Sequence, residues 1–247
     1  MNMPLPLRVW SKVAALSVVA AFSLPAAAQS AGDTIVNVGW FHLYTDDSSQ
    51  TLMRTSPAPG PIAGSSASVG DADTLGIALT HFFTDNFALT ADLGIPPKFH
   101  LDGGGSLSSL NEIGTARQWS PALIAKWYFG DKTSKLRPFV GLGATRVWYS
   151  DVQLSSSLQR AVTAPYNGGV SGTATADLSS SWAPVYNVGL TYNIDERWSL
   201  GFSVAYIPLD TDADITGRNA AGTVISRHKT NLTLDPYVTF LSLGYKF

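Results

Sequence analysis

The stretch "SWAPVYNVGLTYNI" (181–194) alternates over its whole length. Trp182, Pro184, Tyr186, Val188, Leu190 and Tyr192 oppose Ala183, Val185, Asn187, Gly189, Thr191 and Asn193. A period of two puts successive side chains on opposite faces of an extended strand. One face here is large and apolar, and the other is small and mixed. A soluble sandwich or lipocalin buries its larger residues and shows polar ones to water. The small face is too slight to fill a sandwich core, so the large face requires an apolar medium around the molecule.

Seven other segments alternate in the same way, at 33–45, 72–83, 87–95, 118–129, 137–150, 197–209 and 237–247. The last ends the chain as "YVTFLSLGYKF", with Tyr237, Leu241, Leu243, Tyr245 and Phe247 on one face. Connections after the second, fourth and sixth segments are short: "TDN", "GDKTSKL" and "DE". Those after the first, third, fifth and seventh run to roughly 18 to 30 residues and are rich in Gly, Ser, Thr and Asp. Short turns at one end and long loops at the other mark an outer-membrane barrel.

The N-terminus supplies the export route. Arg8 and Lys12 precede the apolar run "VAALSVVAAFSL", and Ala26 and Ala28 form an A-x-A cleavage signal. Residues 1–28 read as a secretory signal peptide, leaving 29–247 as the mature domain. No later stretch has the roughly 18 uninterrupted apolar residues of a membrane helix. An exported chain without such a helix crosses a membrane only as a closed barrel, because every backbone polar group must be paired in lipid. The expected fold is therefore all-β: an eight-stranded antiparallel up-and-down transmembrane β-barrel with both termini in the periplasm. Aromatic residues give a second indication. Phe83, Phe87, Trp127, Phe129, Tyr192, Trp198, Tyr245 and Phe247 gather at the periplasmic strand ends. Trp40, Tyr44, Trp148, Trp182, Tyr206 and Tyr237 gather at the other ends, giving the two girdles of a membrane barrel.

Composition excludes several chemistries. Net charge is -2, which implies no nucleic-acid partner, and only 14% of residues are charged against a usual share of about 25%. The chain has no cysteine, so disulfides, thiol catalysis and thiolate metal sites are absent. No two of its four histidines have the i, i+2 or i, i+4 spacing of a metal site. His42 and His81 read as outward interfacial side chains, and His100 and His228 fall in or beside loops. No cofactor is expected.

The small face of each strand lines the lumen. Toward the outer end it carries Phe41, Leu43, Val147, Val185, Ile207, Val238 and Phe240, which form an apolar upper lumen. Deeper positions are polar, with Asp92, Lys126 and Asn187 as the expected floor and an Asp92–Lys126 ion pair within it. An eight-stranded barrel has room for packed side chains or one small ligand, whereas a water-filled porin needs about 16 strands. Pro96 and Pro97, past the third strand, and Pro121, in the fourth, lack a donor for the ladder. They are candidates for an opening in the wall.

The stretches "FFTDNFALTADLGIP", "KWYFGDKTSKLRPFVGLGA", "SWAPVYNVGLTYNIDERWSLGFSVAYIPLDTDADI" and "LDPYVTFLSLGYKF" resemble the outer-membrane protein W (OmpW) family of small eight-stranded barrels. The resemblance implies passive uptake of small hydrophobic molecules through a narrow apolar passage that opens sideways into the membrane. The terminal aromatic strand resembles the signal read by the barrel-assembly machinery. Expected partners are membrane lipid, lipopolysaccharide, a small hydrophobic solute and that machinery. Two other readings stand beside this one. The first is a structural or adhesive barrel with surface-binding loops. The second is an outer-membrane enzyme modifying the acyl chains of lipid A, for which "SRHKTN" (226–231) offers Ser226 and His228 near Asp210, Asp212 and Asp214, with no strand to fix them.

Overall fold

The computed structural model describes residues 29–247, and the leader assigned to 1–28 lies outside the described residues. Eight long strands form the barrel: β1 (Thr34–Tyr44), β2 (Ala72–Phe82), β3 (Phe87–Gly94), β4 (Ala122–Tyr128), β5 (Leu136–Leu154), β6 (Ser181–Asn193), β7 (Trp198–Tyr206) and β8 (Tyr237–Lys246). Each pairs antiparallel with its chain neighbours, and β8 closes on β1 from Ile35↔Lys246 to Tyr44↔Tyr237. The carboxyl-terminal residue joins this seam, since the Phe247 amide donates to Thr34 O at 3.0 Å. Closure leaves no free edge strand, which is what allows strands to stand in hydrocarbon.

Burial follows the alternation. Along β6, Ala183, Val185 and Asn187 are buried while Trp182, Tyr186 and Val188 are exposed. The exposed band of Val38, Leu75, Ile77, Leu79, Leu123, Val140, Leu142, Leu200, Phe202 and Leu241 is the surface that lipid covers. Glycine on the small face allows close packing. A Cβ on Gly76 would run into the Phe41 ring and stand 2.6 Å from Leu93 O.

The long connections are not irregular loops but a folded cap. Strands at Thr173–Leu178, Asp210–Arg218, Val224–Thr233, Met53–Ser56 and Gly60–Pro61 form a second sheet. Strands at Ser65–Val69, Lys98–Gly105 and Glu112–Trp119 extend the barrel wall upward onto the outer half of β5, where Trp119 stands opposite Trp148. The alternation that builds these strands is present but weak. In "DTDADITGR", Thr211, Ala213 and Ile215 turn inward, and the polar residues between them conceal the pattern. Helix α1 (Ser156–Thr163) starts at Ser155, whose hydroxyl accepts from the Leu158 amide at 3.3 Å. It buries Leu158 and Val162, one turn apart, in a core shared with Leu52, Ile113, Ala174 and Ile215.

The segment 118–129, expected as one strand, is two. It breaks at Ser120 and Pro121, so that Trp119 ends a cap strand and Ala122 begins β4. Pro121 has no N–H to donate to the β3 ladder, and its carbonyl accepts from the Thr145 hydroxyl on β5 instead.

Because the chain lacks cysteine, single-cysteine reporters test this topology cleanly. A membrane-impermeant maleimide should label Ala220→Cys, in the cap hairpin, on intact cells. It should label Thr133→Cys, in the β4–β5 turn, only after the outer membrane is permeabilised. Labelling of Thr133→Cys on intact cells would invert the assignment.

Candidate functional site

A cavity of about 360 Å³ occupies the outer half of the barrel. Phe41, Leu43, Val147, Val185, Ile207, Val238 and Phe240 all line it. Phe41 and Phe240 are opposite residues of β1 and β8, and their rings stack with centroids 3.9 Å apart at 9°. Val69, Phe99, Leu232 and Leu234 from the cap pack onto Leu43 and Val147, so apolar side chains continue upward from the barrel into the cap.

Asp92 and Asn187 lie at the lower end of the cavity wall. Asn187 Nδ2 donates to Val204 O at 3.1 Å, while Asn187 Oδ1 and Asp92 Oδ1 are buried with no hydrogen-bond partner in the chain. The expected Asp92–Lys126 ion pair does not form. Asp92 is opposite Ala122 and Lys126 is opposite Ala88, four residues farther along the ladder. At about 3.3 Å per residue that is roughly 13 Å. Lys126 sits a layer deeper, with Nζ 4.7 Å from the centroid of the Phe139 ring. Sequence parity gave its face correctly but carried no information on distance.

The base of the lumen is not simply polar. Phe82, Tyr128, Phe139, Ile35 and Ala88 form a buried cluster there. Arg137, fully buried, lies against it with its guanidinium 5.4 Å from the Tyr128 ring centroid. Its Nη1 donates to Gln29 O at 3.1 Å and its Nη2 to Asp85 O at 2.6 Å. These residues fill the periplasmic end. Their signal was available: Phe82 and Tyr128 fall on the opposite parity from the lipid-facing Phe83, Trp127 and Phe129.

One side of the cavity meets a gap in the wall. The β3–β4 ladder runs from Phe87↔Trp127 to Asp92↔Ala122 and stops. The strands meet again at Gln118 N, which donates to Pro97 O at 3.1 Å, at Arg117 Nη1, which donates to Pro96 O at 3.3 Å, and at the Lys98↔Arg117 pair above. Between these points Leu93 to Pro96 face Trp119 to Pro121 without a ladder, and all of them line the cavity. Pro96, Pro97 and Pro121 therefore stand together at this gap. Each lip is held by its other neighbour. Ile95 N donates to Leu75 O at 3.0 Å on β2, and Pro121 O accepts from the Thr145 hydroxyl at 2.9 Å on β5.

Ser226 and His228, expected in an unstructured loop, lie on the cap strand Val224–Thr233 and are fully buried. They do not form a relay. The Ser226 hydroxyl donates to Val162 O at 2.5 Å, and neither ring nitrogen of His228 has a hydrogen-bond partner. Asp214 pairs with Lys229 at 2.9 Å, Asp212 accepts from Asn231 and Asp210 from Thr233. His100 is likewise on a strand, 2.6 Å from Glu112. His42 bonds Asp73 at 2.8 Å and His81 bonds Thr34 at 2.9 Å, at opposite ends of the barrel.

Burial, and then the nearby Arg54 cation, push the His228 imidazole down to about 4 from 6.5. The folded cap thus holds it neutral, while an opened cap takes up a proton below about pH 6.5. Its contribution to cap stability should be constant above that pH and fall steadily as pH drops toward 4. Proteolysis of the cap should accelerate from pH 7 to pH 5, and His228→Phe should flatten that dependence. Equal acceleration in the variant would assign the effect to other groups.

The family model described as OmpW family matches residues 30–247. Outer membrane protein W of Vibrio cholerae is 29% identical over 238 residues, which cover 95% of this chain and 98% of that protein. Outer membrane protein AlkL of Ectopseudomonas oleovorans is 27% identical over 216 residues, 87% of this chain and 83% of that protein. The crystal structure of outer membrane protein OprG from Pseudomonas aeruginosa shares the fold at a TM-score of 0.75 and 24% identity, over 90% of this chain and 98% of that one. A match across the whole barrel, together with the closed eight-stranded wall, makes this an outer-membrane protein of the Gram-negative type, and the chain belongs to the OmpW family.

Proposed function

We propose that the barrel gives small hydrophobic molecules a passive route across the polar outer leaflet and releases them sideways into the membrane between β3 and β4. The observation that carries this reading is the continuity of the apolar cavity with the gap bounded by Pro96, Pro97 and Pro121. A cavity of about 360 Å³ falls within the roughly 300–1,000 Å³ range of small-molecule sites. Its mostly apolar lining favours an alkyl or aromatic solute over a sugar or ion, because a polar solute would lose its water and find few hydrogen-bonding groups beyond those of Asp92 and Asn187 at the lower end. The filled base around Arg137 and Tyr128 opposes straight passage into the periplasm, so the side gap is the remaining exit. Lipid and lipopolysaccharide surround the barrel in this reading, and the terminal strand ending at Phe247 serves the assembly machinery.

The test is uptake of a medium-chain alkane or fatty ester into cells or vesicles carrying the barrel. Phe240→Lys replaces one ring of the stacked Phe41–Phe240 wall with a charged, hydrated side chain, and should lower uptake about tenfold. Ser120→Trp should reduce uptake by narrowing the passage where the cavity meets the gap, since Ser120 lines both. Both variants should retain the heat-modifiable mobility of a folded barrel. Wild-type uptake equal to an empty vector would remove the conduit reading. Loss with Phe240→Lys but none with Ser120→Trp would keep the conduit and remove the sideways exit.

A further inference from the structure

The outer rim of the barrel is electrically lopsided. The rim segments 42–47, 70–76, 204–210 and 234–240 contain Asp46, Asp47, Asp71, Asp73, Asp210 and Asp235 and no Lys or Arg. The rim segments 93–98, 117–121, 144–151 and 180–184 contain Lys98, Arg117 and Arg146, and Asp151 is their only carboxylate. The first set belongs to β1, β2, β7 and β8, and the second borders the gap between β3 and β4 and continues onto β5 and β6.

Lys98 and Arg117 are directly opposite each other in their ladder, so both project from the same, outward face. Like charges in that relation destabilise a sheet, and an anion between them offsets the repulsion. Arg117 is partly compensated, with Nε 3.2 Å from Asp151 and Nη1 donating to Pro96 O at 3.3 Å. Lys98 is exposed and has no carboxylate or hydrogen-bond partner among the described residues. Arg146 is also exposed and without a carboxylate, and its guanidinium lies 5.7 Å from the Trp182 ring centroid. Between the two groups stand Trp119 and Trp148, stacked at 5.8 Å and 3°. Tryptophan marks the depth at which headgroup meets acyl chain. The unpaired cations are therefore set where lipid phosphates lie.

We propose that this wall is a binding site for a phosphorylated glycolipid of the outer leaflet, the lipid A end of lipopolysaccharide. Its phosphates sit on Lys98, Arg117 and Arg146, its sugars lie against the Trp119–Trp148 pair, and its acyl chains descend over Leu123 and Leu142 beside the gap. Charge complementarity selects an anion, and the membrane depth of the tryptophans selects a lipid over a free ion. The acidic half of the rim repels the same headgroups, so the glycolipid is held on the side that carries the gap. The site stands on the rim charges alone and does not depend on whether the cavity conducts solute.

The experiment is native mass spectrometry of the detergent-purified barrel titrated with bis-phosphorylated lipid A, with the same lipid lacking phosphates, and with inorganic phosphate as competitor. Lys98→Gln/Arg146→Gln removes two cations that touch neither the cavity nor Pro96, and Lys229→Gln in the cap serves as a control. Loss of two interfacial cations should weaken binding of bis-phosphorylated lipid A about thirtyfold. The control should match wild type, and the phosphate-free lipid should bind wild type and double variant alike and weakly. Equal wild-type affinity for the two lipids, or an unchanged double variant, overturns the proposal. Full competition by inorganic phosphate at low millimolar concentration assigns the cations to free anions and overturns the lipid site.

Discussion

Backbone hydrogen bonding in a medium without water is the constraint on which the rest of this molecule depends. Each N–H and C=O within the hydrocarbon must find a partner in the chain. The β1–β8 seam, carried through to the Phe247 amide, meets that demand by closing the sheet. Closure with eight strands then fixes the size of the interior, which leaves room for side chains and one small cavity. The alternation of large and small residues follows from the same arrangement, because the outer face meets lipid while the inner face has little space.

The gap between β3 and β4 is the place where this demand is met differently. The ladder lapses beyond Asp92↔Ala122, and three prolines near the lips have no N–H to leave unpaired. Some of the groups that remain find partners away from the gap, as Ile95 N does with Leu75 O and Pro121 O does with the Thr145 hydroxyl. The prolines thus lower the number of backbone donors that the lapse in the ladder leaves facing lipid. Below the gap, the Phe82–Tyr128–Phe139 cluster with Arg137 fills the lumen, and above it the cap packs its own apolar residues onto Leu43 and Val147. The cavity lies between a filled base and a folded roof, with its side at the proline-lined gap.

Much of this was legible in the sequence, for a definite reason. In a strand, parity alone assigns a residue to a face, so seven lumen positions from Phe41 to Phe240 could be named without knowing any distance. Proline is legible for the same kind of reason, since its missing donor acts wherever it stands. The offset between neighbouring strands was not legible. Asp92 and Lys126 share an interior face, yet the register sets them four residues apart. The cap was also hidden. Met53–Ser56 pairs with Val224–Thr233 across most of the chain's length, and local pattern does not encode such long-range partners. The inward positions of the cap strands are often Ser, Thr or Ala, which carry too weak a contrast to stand out as a buried face. Arg137 was missed because a buried cation depends on carbonyls from two distant segments, those of Gln29 and Asp85.

The central claim is that a hydrophobic molecule occupies the outer lumen and leaves through the β3–β4 gap. Anomalous diffraction from crystals of the barrel soaked with a bromoalkane locates such a molecule directly. Bromine density between Phe240 and Asp92, with a second site between Ile95 and Ser120, is the predicted result. Bromine confined to the lipid-facing band around Leu75 and Leu142, with none in the lumen, would contradict it.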